Sequence, residues 1–288
     1  MRWTTLDERP MKLADYPPQE PLSPAGTAYG AECWQRGEGV VGEEFAFGAD
    51  AYQRLLVFPA LKPDGRVLLF WHGGGWTSGY KEWMSFMAPA FTAAGVTFVS
   101  AGYRLAPQHV FPTGLEDCAS AVAWVVREIA RHGGDPGRVF IGGHSAGGHY
   151  AALLSVNGRA LASAELPRST IRGCLPVSGV FDFGPSSGLS MRPRFLGADP
   201  RNDVAASPIV QIETPLPPFL VAYGSNDFAH LVPQGRAFVA ALRDAGAVAE
   251  GIEMAERTHF TASFAGGEAG GPWVPAALEF MARHARSR

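Results

Sequence analysis

The chain has 288 residues, of which 47% are hydrophobic, 18% charged and 11% aromatic, and its net charge is −3. That is ample material for a sizeable core in one large domain or two, and a weakly negative chain without a Lys/Arg run excludes the electrostatic footprint of a nucleic-acid binder. The longest apolar runs, such as Val67–Trp71, are far too short to span a bilayer, and three widely spaced cysteines (Cys33, Cys118, Cys174) fit neither a disulfide framework nor a zinc site. Each reads as a free buried thiol. The start, MRWTTLDERPMK, has no apolar stretch behind its charges and does not read as a secretory signal, so a reducing, cytoplasmic setting is expected.

The first forty or so residues are rich in Pro and Gly and only weakly periodic. They read as an arm over residues 1–42 that packs on the body, with a domain over 43–288. Tyr52–Phe58 and Val67–Trp71 read as strands, the second almost wholly apolar and therefore central. Met84–Ala94 is helix-like, with Pro89 kinking or shortening it. Val96–Ser100 is a strand. Gly114–His132 is an amphipathic helix with apolar residues at helical spacing (Leu115, Cys118, Val122, Val125, Ile129), ended by Gly133-Gly134. A strand at Arg138–Ile141 runs straight into a helix starting near Ala146. Further strands are expected at Gly173–Ser178, Pro218–Tyr223 and Val248–Met254, with helices at Gln234–Ala245 and Pro275–Ala285. This alternation predicts an α/β fold with a mostly parallel sheet and helices on both faces. The stretch 182–208 breaks it and reads as a cap-like insertion over the carboxyl ends of the strands.

The chemistry concentrates at those ends. Gly143-His-Ser-Ala-Gly147 satisfies G-x-S-x-G between a strand and a helix. A serine on so tight a turn needs side-chain-free neighbours, which makes Ser145 a candidate nucleophile and the Ala146 N–H a candidate oxyanion donor. A Gly-rich turn with an idle serine is the bland alternative, and the strand–helix context argues against it. His72-Gly-Gly-Gly-Trp76 follows a buried strand and is of the type that supplies further oxyanion donors, here Gly73 and Gly74. Its glycines match no phosphate-binding spacing. His72 itself reads as an anchor for that loop.

The remaining partners follow in the order Ser, acid, His. Asp227 lies just past the strand Pro218–Tyr223, and His259 follows the strand near Val248–Met254. Asp182 also follows a strand, but its place before the insertion favours a structural role. His230 reads as surface or pocket wall, and His284 as a cation near a helix end. Trp76, Tyr80, Phe183 and His144 are candidate substrate contacts. Packing is the equally fair reading of the aromatics among them.

These residues carry a resemblance. Residues 55–285 resemble the α/β-hydrolases grouped around hormone-sensitive-lipase-type carboxylesterases and arylformamidases (kynurenine formamidase and its relatives). His72-Gly-Gly-Gly-Trp76, Tyr103-Arg-Leu-Ala-Pro107, Phe111-Pro112 and Glu116-Asp117 look like the esterase blocks. Gly143-His-Ser-Ala-Gly-Gly-His149, Ser178-Gly-Val-Phe-Asp182, Thr258-His-Phe260 and Ser85–Gly95 look like the arylformamidase branch. The esterases usually have Asp where His144 stands, and the arylformamidases a bulky aromatic where Gly75 stands. The resemblance implies an α/β-hydrolase fold and a catalytic triad Ser145, Asp227 and His259, with no cofactor and no metal. It leaves three readings: a carboxylesterase acting on a small ester through an acyl-enzyme, an arylformamidase acting on an N-formyl aryl amide, or a non-catalytic binder on the same fold. A small-molecule substrate, no nucleic acid or membrane partner, and a homodimer complete the expectations.

Overall fold

A computed structural model describes residues 11–187, 189 and 191–285. Residues 1–10 of the expected arm, and Gly188 and Ser190 of the expected insertion, lie outside the described residues.

One sheet of eight strands runs through the described chain: β1 (Glu43–Ala46), β2 (Arg54–Phe58), β3 (Gly65–Trp71), β4 (Thr97–Ala101), β5 (Gly134–His144), β6 (Ile171–Val177), β7 (Phe219–Asn226) and β8 (Ala249–Thr258). Their spatial order is β1-β2-β4-β3-β5-β6-β7-β8. The pairs β1–β2 and β2–β4 are antiparallel, and β4 through β8 are parallel. The expected mostly parallel sheet is therefore present. Its apolar β3 sits fourth of eight, which is why that strand can be apolar on both faces.

The helices are α1 (Pro24–Arg36), α2 (Ala88–Ala93), α3 (Thr113–Glu128), α4 (Ala146–Val156), α5 (Arg159–Ser163), α6 (Arg201–Ala205), α7 (Leu231–Asp244), α8 (His259–Phe264) and α9 (Val274–His284). Two apolar cores separate them by face. Leu55 and Val57 of β2 join α3, α4 and α7 in one core, whereas Leu56 and Phe58 join α1, α2, α8 and α9 in the other. This is strand alternation expressed as two layers. All three cysteines are buried and free. No helix among the described residues is long and apolar enough to cross a membrane.

Several boundaries differ from the sequence expectation for physical reasons. The arm contains a thirteen-residue helix, α1, capped by the Ser23 hydroxyl accepting from the Gly26 N–H at 3.1 Å, with Pro24 in its first turn. Its buried face is Gly26, Tyr29, Gly30 and Cys33. A Cβ on Gly30 would come within 2.8 Å of the Trp83 ring, so packing requires small residues there and the apolar periodicity is lost. The expected helix Met84–Ala94 is a 3₁₀ run, Lys81–Met87, passing into α2 with Pro89 in the first turn, where a missing N–H leaves no bond unmade. Strand β1, half charged, carries no strand signal and lies at the sheet edge.

Candidate active site

The carboxyl ends of β3, β5, β6, β7 and β8 converge on one spot. Strand β5 passes into α4 through Ser145, whose φ of 53° and ψ of −115° are costly for a residue with a side chain. Its N–H donates to Val177 O and its carbonyl accepts from His149 N, both at 2.9 Å. The flanking glycines are sterically dictated. A Cβ on Gly143 would fall 2.2 Å from the Gly147 carbonyl carbon, and one on Gly147 would fall 2.2 Å from Trp71 O. Because backbone blocks the latter position, Gly147→Ala is expected to lower stability by about 3 kcal/mol or more. Urea denaturation checks this; an unchanged midpoint would show that the strand and helix tolerate wider spacing.

Ser145, His259 and Asp227 are brought into one hydrogen-bonded line. Ser145 Oγ stands 3.0 Å from His259 Nε2, and His259 Nδ1 stands 2.8 Å from Asp227 Oδ1. His259 opens α8 immediately after β8, held by a reciprocal cap between Thr258 and Thr261. Asp227 Oδ1 also accepts from the Phe228 N–H at 2.7 Å, and Oδ2 accepts from the Ser178 hydroxyl. Burial alone would raise the Asp227 carboxyl. The His259 hydrogen bond and charge, the Ser178 hydroxyl and the Phe228 N–H outweigh it and hold the group below its ordinary value. Asp182 lies elsewhere, its Oδ1 accepting from Gly184 N at 2.7 Å. Phe228 lies flat on the His259 imidazole, ring centres 4.2 Å apart.

The three-glycine loop lies against this line. His72 Nδ1 donates to Gly73 O at 2.6 Å, and the Tyr103 hydroxyl donates to His72 O at 2.9 Å. A Cβ on Gly73 would stand 3.1 Å from Ser145 Cβ, so this backbone abuts the serine. Gly74 has φ 119°, and a Cβ there would meet Ser78 O at 1.9 Å. The N–H groups of Gly73, Gly74 and Ala146 donate to no loop or turn carbonyl among the described residues, and that is the state an oxyanion site requires. Trp76 Nε1 donates to His149 Nδ1 at 3.1 Å, and His149 Nε2 donates to Ala206 O at 2.7 Å. The loop, α4 and the insertion are thereby tied together.

Over Ser145 opens a pocket of about 350 Å³. Trp76 and His144 line it. Tyr80 and Phe183 do not stand among the lining residues. Tyr80 packs with Tyr16, Trp34 and Trp83, and Phe183 backs Trp76 from behind. Leu22, Gly26 and Tyr29 of the arm line the pocket instead, with Leu189, Met191 and Arg194 of the insertion and Phe228 beyond Asp227. An ion pair between Arg194 and Glu20 joins arm to insertion at the mouth. Both groups are partly exposed, so its energetic contribution is small.

Three histidines around the site are fully buried and neutral. Burial lowers His72 and His149 to about 4, and burial together with the neighbouring His259 lowers His144 to about 3. Their folded values lie below the ordinary ~6.5, so below that pH the unfolded chain binds more protons. Stability is therefore lost as pH falls from about 6.5 towards about 4. Unfolding at pH 5 is expected to add about three protons to these groups, a slope on the order of 4 kcal/mol per pH unit. Calorimetry in buffers of different ionisation enthalpy measures the uptake; equal stability at pH 7 and pH 5 would contradict it.

With this geometry in view, residues 68–263 match the sequence family described as alpha/beta hydrolase fold. Esterase LipQ of Mycobacterium tuberculosis is 36% identical over 206 residues, 66% of this chain and 49% of its own length. Esterase LipC of the same organism is 32% identical over 194 residues, 62% and 48% respectively. The isoprenylcysteine alpha-carbonyl methylesterase ICME of Arabidopsis thaliana is 27% identical over 244 residues, 76% and 56%. The chain thus spans about half the length of the curated relatives it matches. Among solved structures, a hyperthermophilic esterase from Pyrobaculum calidifontis superposes with a TM-score of 0.73 at 21% identity, covering 88% of each chain. A bacterial heroin esterase gives 0.71 at 25% identity, covering 91% of this chain and 90% of that one.

Proposed function

The chain belongs to the alpha/beta hydrolase fold family, and on that premise we propose that it is a serine carboxylesterase acting on small esters. The observation that carries the proposal is the line from Ser145 Oγ through His259 to Asp227, 3.0 Å and 2.8 Å long. In this reading His259 Nε2 takes the Ser145 proton as Oγ attacks the ester carbonyl, and Asp227 stabilises the imidazolium. The N–H groups of Gly73, Gly74 and Ala146 hold the oxyanion. The alcohol leaves with the proton from His259. Water, activated by the same imidazole, then releases the acid and regenerates Ser145. The esterase names of the relatives LipQ and LipC support an ester over other acyl compounds.

A pocket of about 350 Å³ is at the small end of ligand sites, which favours short acyl groups. The test is kcat/KM on p-nitrophenyl acetate, butyrate and octanoate beside N-formylkynurenine. Acetate or butyrate is expected to lead, with octanoate lower. A formamide preferred by orders of magnitude would replace this reading with an arylformamidase.

A further inference from the structure

We propose that Tyr29, on the arm helix α1, is a positioning residue for the base, acting through His144 on the backbone of His259. The inference rests on reading His259 as the base and adds a residue that the G-x-S-x-G pattern does not contain. Tyr29 is buried, with its Oη 3.2 Å from His144 Nδ1 and 2.9 Å from Ser263 Oγ. On the other edge of the same imidazole, His144 Nε2 stands 3.0 Å from His259 O. The His144 and His259 rings are 4.8 Å apart.

The protons in this chain can be placed one by one. A carbonyl only accepts, so His144 Nε2 carries the hydrogen that faces His259 O. His144 is neutral in its buried site, so Nδ1 presents a lone pair and Tyr29 must donate to it. Tyr29 has one proton, and that leaves its oxygen to accept from the Ser263 hydroxyl. The sequence Ser263 → Tyr29 → His144 → His259 O is therefore fixed in direction, and it ends on the residue whose Nε2 must meet Ser145.

Removing the Tyr29 hydroxyl leaves no good alternative. If His144 keeps its tautomer, Nδ1 is a buried acceptor without a donor. If it switches, two acceptors, Nε2 and His259 O, face each other. Either way the backbone of His259 is freed to move, and a displacement of ~1 Å in a catalytic group costs up to about a hundredfold in rate. Gln19, earlier in the arm, both donates to Gly79 O at 2.9 Å and accepts from Gly79 N at 2.8 Å. The arm thus holds the end of the glycine loop as well as the base.

The experiment compares wild type with Tyr29→Phe, His144→Leu and the double variant on p-nitrophenyl acetate. Phenylalanine keeps the ring that stacks on Phe260 at 5.0 Å, and His144→Leu reads the same contact from its other side. Tyr29→Phe is expected to lower kcat roughly tenfold with KM within about twofold. The double variant should be no worse than His144→Leu alone, because one path cannot be cut twice. Full kcat in Tyr29→Phe, a loss confined to KM, or additive losses would each overturn the proposal. The downfield proton resonance of His259 Nδ1–H reads the same placement without turnover, and should shift or broaden in Tyr29→Phe. An inactive wild type would count against the esterase reading; an unchanged resonance would count against the role of Tyr29.

Discussion

Replacing Ser145 by alanine is expected to lower kcat on p-nitrophenyl acetate by a factor on the order of 10⁶. The size of the loss follows from what remains. His259 has no proton to take, so the acyl-enzyme cannot form, while the glycine-loop N–H groups still favour attack by water. That residue of catalysis is about 10³–10⁴ over the solution reaction. The alanine variant keeps the bonds from residue 145 to Val177 and His149, because both are made by backbone atoms, so its fold should be unchanged. Stopped-assay rates with protein from a host lacking background esterase measure the effect. Retention of more than a few per cent of wild-type turnover would remove Ser145 from the mechanism.

Asp227→Asn should cost about 10⁴ in kcat with little change in structure. Asp227 accepts from four sides: His259 Nδ1 and the Phe228 N–H on one oxygen, the Ser178 hydroxyl and, at 3.4 Å, the Gly224 N–H on the other. An amide has one oxygen for these donors and must turn an NH₂ towards one of them. With the oxygen kept by the Ser178 hydroxyl and the Gly224 N–H, the NH₂ faces His259, which is left to accept through Nδ1; its hydrogen moves to Nε2, and Nε2 no longer accepts from Ser145. Because the wild-type carboxyl is held below its ordinary value, it is ionised throughout the neutral range, and the substitution removes a full negative charge beside the imidazole. A loss of less than tenfold would assign the orienting role to another group.

The parts of the site that the sequence made legible are those where sterics leave one solution. Gly143 and Gly147 stand where any Cβ would strike backbone, so the turn around Ser145 announces itself as a motif. Asp227 and His259 were readable because each follows a strand in the required order. The pocket was less legible because its walls come from segments with no periodic signal. Tyr29 sits on a helix whose buried face is half glycine, and Leu189, Met191 and Arg194 lie in an irregular insertion. Ser178 reaches Asp227 only through the pairing of β6 with β7, a juxtaposition that no local spacing encodes. Tyr80 lies close in sequence to the glycine loop, but the chain turns after Gly79 and packs it, half-buried, against Tyr16 and Trp34 of the arm. Strand β1 carries no apolar alternation because, at the sheet edge, none of its residues is fully buried.

The most direct test of the central claim is the mass of the protein after incubation with diethyl p-nitrophenyl phosphate. Attack by Ser145 Oγ on phosphorus forms an O–P bond and expels p-nitrophenolate, a stable analogue of the acyl-enzyme. The account predicts one diethylphosphoryl group on the peptide containing Ser145, activity lost in step with its attachment, and no adduct on Ser145→Ala. An adduct elsewhere, or none while ester turnover continues, would contradict it.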